Sequence, residues 1–88
     1  MLVVILEGGL LQFDGEVIEL FSEQGKNDRF HIRFLEQIEL EAGRKGITLM
    51  TLRYGKNGRS GFNGWIVPQE NLADANALIE AVNSTKGN

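Results

Sequence analysis

The stretch Trp65-Ile66-Val67-Pro68-Gln69-Glu70-Asn71-Leu72-Ala73-Asp74-Ala75-Asn76-Ala77-Leu78-Ile79 holds the change of rhythm that decides the fold. Before Pro68, short β-prone runs alternate with turn residues. After it, Leu72, Ala75, Ile79 and Val82 recur at helical spacing, with Leu78 widening the stripe and Asp74, Asn76 and Glu80 lying off it. A proline at the start and acids in the first two turns suit a helix N-terminus. The spacing predicts one amphipathic helix over 69–83, followed by a frayed tail over 84–88.

Upstream, the punctuation is glycine and Asp-Gly. Leu2 to Leu6 is followed by Gly8-Gly9, then by Leu10 to Phe13. Asp14-Gly15 sits between that run and Glu16 to Phe21, a strong signal for a hairpin with a type I′ turn. Phe30-His31-Ile32-Arg33-Phe34 alternates, with three apolar side chains on one face and His31 and Arg33 on the other, which predicts a half-buried strand. In Leu35 to Glu41, Ile38 and Leu40 oppose Gln37, Glu39 and Glu41; Ala42 to Gly46 then reads as a turn. Ile47 to Tyr54 is the longest β-prone run, Gly55 to Gly61 reads as a loop, and Phe62 to Val67 as a last strand interrupted by Gly64. About seven short strands and one helix make a mainly β domain over 1–83. The expected architecture is a seven-stranded antiparallel barrel or orthogonal sandwich capped by the C-terminal helix.

Composition narrows the chemistry. The chain has 88 residues, no cysteine and a single histidine, His31. Disulfides, cysteine-ligated metals and a thiolate nucleophile are excluded, and no histidine-rich metal site can form. The apolar run Met1 to Leu6 falls far short of the roughly 20 residues a bilayer crossing needs, and of a secretory core of about 7–15. It reads as a buried strand, in a cytoplasmic protein of ordinary net charge, −3.

The element order resembles the pleckstrin-homology (PH) superfold, and more narrowly the bacterial PH-like domains of uncharacterised function. The likeness is carried by Gly9-Leu10-Leu11-Gln12-Phe13-Asp14-Gly15 with Val17-Ile18-Glu19-Leu20, and by Leu35-Glu36-Gln37-Ile38-Glu39-Leu40. A basic glycine-flanked turn, a long strand, and Asn71-Leu72-Ala73-Asp74-Ala75 opening the helix complete it. It implies seven strands in two near-orthogonal sheets with a helix closing one end, and it assigns no functional residue. Such domains are often basic after the first hairpin, whereas this chain has Glu16, Glu19 and Glu23 there.

Charge is laid out in blocks. Residues 1–41 carry a net −6, while residues 42–67 hold Arg44, Lys45, Arg53, Lys56 and Arg59 with no acid. These five are the candidate binding residues, for an anion or a phospholipid surface. The competing and favoured reading is internal neutralisation, the basic strand lying beside the acidic run Glu36 to Glu41. If the basic pairs lie in turns at opposite ends of one strand, about 25–30 Å separates them, too far for one patch. The glycine-rich loop from Gly55 to Gly64 lacks the Gly-Lys-Ser/Thr and helix of a P-loop and reads as a hairpin loop. His31 has no orienting carboxylate or nucleophile at a useful spacing and reads as a surface residue. Glu36, Glu39 and Glu41 read as a solvated strand face, and Trp65 and Tyr54 as core material rather than exposed anchors.

The sequence therefore predicts no catalytic residue, metal or cofactor. It points to a non-enzymatic protein-interaction or assembly module, whose partner is another protein or a second copy paired through the apolar N-terminal strand as a sheet edge. Anion binding is the alternative, with peripheral membrane contact less favoured and nucleic acid not expected.

Overall fold

The computed structural model describes residues 1–25, 27–56 and 59–87, with backbone alone for 56 and 59–63. Seven strands form two antiparallel sheets. The first contains β1 (Leu2–Leu6), β2 (Gly9–Phe13), β3 (Val17–Ser22) and β4 (Asp28–His31), in chain order. The second contains β5 (Leu35–Ala42), β6 (Thr48–Lys56) and β7 (Arg59–Val67), also in chain order. A 3₁₀ turn over Gln69–Asn71 leads into α1 (Leu72–Lys86).

Two-residue alternation places the core. Val4, Leu6, Leu11, Phe13, Ile18, Leu20 and Phe30 point inward from the first sheet. Ile38, Met50, Leu52 and Val67 meet them from the second. A bulge between Leu35 and Gln37 resets β5, so that both Leu35 and Ile38 are buried. The helix contributes Ala75, Leu78 and Val82, all fully buried; burying a leucine or valine side chain stabilises the fold by about 1.5–3 kcal/mol.

Of the two expected architectures, barrel or two-sheet sandwich, the closed barrel does not form, and the strands divide into two antiparallel sheets. Among the described residues, a single backbone bond, Glu7 N–H to the Ile66 carbonyl at 2.9 Å, joins the turn after β1 to β7 in place of a ladder. Between β4 and β5 the chain makes a 3₁₀ turn, Ile32–Phe34, which passes it from one sheet to the other. The strand predicted over Phe30 to Phe34 therefore stops at His31. His31 is not a bystander at the surface: its Nδ1 accepts the Arg33 backbone N–H at 3.0 Å and caps this turn. Ile32 is buried by it, whereas Phe34 stays half-exposed under the Arg33 guanidinium, 4.9 Å from the ring centroid.

Three other elements depart from the sequence expectation. The Asp14-Gly15 turn is not the two-residue type I′, since only Gly15 has positive φ. The Asp14 carboxylate instead accepts the backbone N–H groups of Glu16 and Val17, making a longer loop. These two bonds favour the charged carboxylate and hold its pKa below the usual aspartate value of 3.8. Of the loop expected over 55–61, residues 55–56 and 59–61 are strand, with Lys56 paired to Arg59, and 57–58 lie outside the described residues. The helix does not fray at Ser84 but runs to Lys86, whose ammonium donates to the carbonyls of Ile32 and Leu35 and ties the last turn to the inter-sheet crossing.

Candidate functional site

The five basic residues singled out by charge do not converge. Arg44 and Lys45 lie in a tight 3₁₀ turn between β5 and β6, where Lys45 adopts a left-handed φ of 57°. Lys56 and Arg59 end β6 and β7 at the far hairpin, and their side chains lie outside the described residues. The whole of β6 separates the two pairs. Arg53 is exposed on the outer face of the second sheet, directly across from Gln37, and lines a shallow groove with Glu39, Glu41 and Thr51.

A polar cleft of about 240 Å³ opens between the sheets, lined by Leu20, Ser22, Gln24, Asn27, Asp28, Tyr54 and Trp65. Asp28 and Tyr54 hold its walls together. The Tyr54 hydroxyl donates to Asp28 Oδ2, and the Tyr54 ring stacks on Phe30 with centroids 4.4 Å apart. Trp65 packs against the core, as the sequence implied, and its indole N–H is buried without a partner among the described residues. Its ring lies over Gly9, where a Cβ would stand 2.9 Å from Trp65 Cζ3. Glycine is required there because the ring and the β3 backbone both crowd the position.

The described lining of the cleft contains one carboxylate, Asp28, engaged by the Tyr54 hydroxyl and by the Arg29 backbone N–H. Among the described residues, no group of three or more acidic or histidine side chains is placed to hold a metal ion.

The outer face of the first sheet is a different kind of surface. Ile5 pairs with Leu10 and Leu10 with Phe21, so three apolar side chains form one row across β1, β2 and β3. Ile5 is 51% exposed and Phe21 38%, and Val3 extends the apolar area along β1. A groove of about 350 Å³ follows this row and ends at Glu23. Glu23 donates its backbone N–H to the Gly8 carbonyl at 3.0 Å, which ties it to the Glu7-Gly8 turn after β1. The next row, Gln12 and Glu19, is polar and joined by a side-chain bond. Sequence reasoning saw the apolar β1 but not this row, because the match of Ile5 to Leu10 to Phe21 is a consequence of register.

The free edge of β1 is partly occupied from within the chain. Ile5 O accepts from Asn71 Nδ2 at 3.0 Å, and Glu7 N–H is taken by Ile66. Among the described residues, no helix is long and apolar enough to cross a membrane. No protein-family profile and no curated protein matches the chain.

Proposed function

We propose that this is a non-enzymatic protein-interaction or assembly module of PH-like architecture, related to the bacterial PH-like domains, that docks through the outer face of β1–β3. The observation that carries the reading is the apolar row Ile5–Leu10–Phe21, in which half-buried Leu10 lies between exposed Ile5 and Phe21, with its groove and acidic end. Contiguous apolar surface of this kind, rimmed by charge, marks association sites in soluble proteins. Two sheets in simple chain order, followed by a C-terminal helix, support the PH-like part. The engaged groups on the β1 edge favour docking by the face over addition of a strand to that edge.

Anion binding by the 44–59 region has weaker support, since its bases are spread along the length of β6. The test compares wild type with the double variant Ile5→Asp/Phe21→Asp, in sedimentation velocity at rising concentration and in co-purification from cells. The variant is expected to lose association in every form while keeping its circular dichroism spectrum. Identical behaviour of the two proteins refutes the reading.

A further inference from the structure

The face just described has an acidic character that narrows what it can bind. Residues 1–25 contain five acids and no lysine or arginine; of these, exposed Glu23 lines the apolar groove, and exposed Glu7 directly follows Leu6, another lining residue. A fitting occupant presents a branched apolar side chain beside paired positive charges.

The chain itself displays such a group. In the turn between β5 and β6, Arg44 and Lys45 are exposed and Ile47 follows them, 39% exposed despite being aliphatic. The turn is built to stand rigidly. Gly43 N–H donates to the Ile47 carbonyl at 2.6 Å, Ile47 N–H donates to the Arg44 carbonyl at 3.1 Å, and Lys45 is held at a positive φ that costs a non-glycine residue about 1–2 kcal/mol. A strained, well-tied turn that puts a hydrophobic side chain in water is a feature that association would explain.

We infer that the groove along Ile5, Leu10 and Phe21 receives the Arg44–Ile47 turn of a second copy of this chain. Ile47 enters the apolar row, while Arg44 and Lys45 face Glu7 and Glu23. The inference rests on the proposed docking role of the β1–β3 face and specifies its occupant. The contact is between unlike surfaces, so each copy carries one groove and one plug.

Complementation tests it directly. Phe21→Asp spoils the groove and Ile47→Asp the plug; both side chains are exposed, so the core is left alone. In analytical ultracentrifugation, each variant alone is expected to self-associate at least about tenfold more weakly than wild type. An equimolar mixture regains a 1:1 complex, because the plug of the first fits the groove of the second. Reversing the charges with Arg44→Glu/Lys45→Glu weakens association, and adding Glu7→Lys/Glu23→Lys restores it. A measurement on the unaltered protein runs alongside: on dilution, backbone amide resonances of Phe21–Glu23 and of Arg44–Ile47 shift together. The inference is overturned if wild type stays monomeric at millimolar concentration, if the mixture does not complement, or if only one of the two segments responds. Loss of association with Phe21→Asp but not with Ile47→Asp leaves the docking face standing and removes this occupant. No effect of either variant removes both.

Discussion

Replacing Gly9 by alanine tests the packing that joins the two sheets beside the groove. A Cβ at this position would stand 2.6 Å from the Phe21 carbonyl oxygen and 2.9 Å from Trp65 Cζ3, both closer than real Cβ atoms approach. The tryptophan ring can tilt, but the carbonyl belongs to the β2–β3 ladder, where Gly9 pairs with Ser22. Relief therefore requires the strands to part locally. Overpacking of this kind costs about 1–3 kcal/mol, and the usual gain from alanine over glycine in a strand offsets about 0.5–1 kcal/mol of it. The expected net loss is about 1–2 kcal/mol, or a melting temperature lower by roughly 5–15 °C for a domain of this size. Gly64→Ala is the matched control: its nearest neighbour would be Thr51 Cγ2 at 4.0 Å, so alanine there should leave stability unchanged or raise it by up to about 1 kcal/mol. Urea titration followed by the fluorescence of Trp65, the one tryptophan in the chain, reads both effects. The reasoning fails if Gly9→Ala is as stable as wild type, or if the two variants shift in the same direction.

Further outcomes follow from single contacts. Tyr54→Phe keeps the stack on Phe30 but removes the hydroxyl bond to Asp28 that links the sheets; a stability loss of about 1–2 kcal/mol is expected in urea unfolding, and a neutral result would show that the bond carries nothing. Lys86→Met removes the donor to the Ile32 and Leu35 carbonyls, so the amide of Gly87, bonded to Asn83 O, should exchange faster by hydrogen-exchange NMR, with a loss of about 1 kcal/mol. For Asp14 the folded pKa lies below the unfolded one, so its contribution to stability is present above about pH 4 and is lost as pH falls through the folded value. The stability difference between wild type and Asp14→Asn should accordingly shrink below about pH 4, and a pH-independent difference would contradict the assignment.

The candidate site was only half legible before the fold was known. Charge counting isolated Arg44, Lys45, Arg53, Lys56 and Arg59, yet a net charge over a segment carries no distance information, and β6 holds the pairs apart. Arg44 and Lys45 enter the inferred contact only together with Ile47, whose exposure depends on the shape of the turn. The edge of β1 looked open because its covering group, Asn71, lies 66 residues away in sequence. His31 sits in a strand-like alternation, but the 3₁₀ turn it caps is fixed by the need to cross between sheets.

What the sequence determined by itself was local and periodic. The switch at Pro68 from a two-residue to a 3.6-residue repeat fixed seven strands before a single helix, and alternation fixed most of the core, because a side chain's direction follows from backbone geometry alone. Only the tertiary structure decided that the sheets stay unclosed, that the helix extends to Lys86, and that Ile5, Leu10 and Phe21 meet in one row. Those outcomes depend on register and on bonds between residues far apart in the chain, for which periodicity contains no signal.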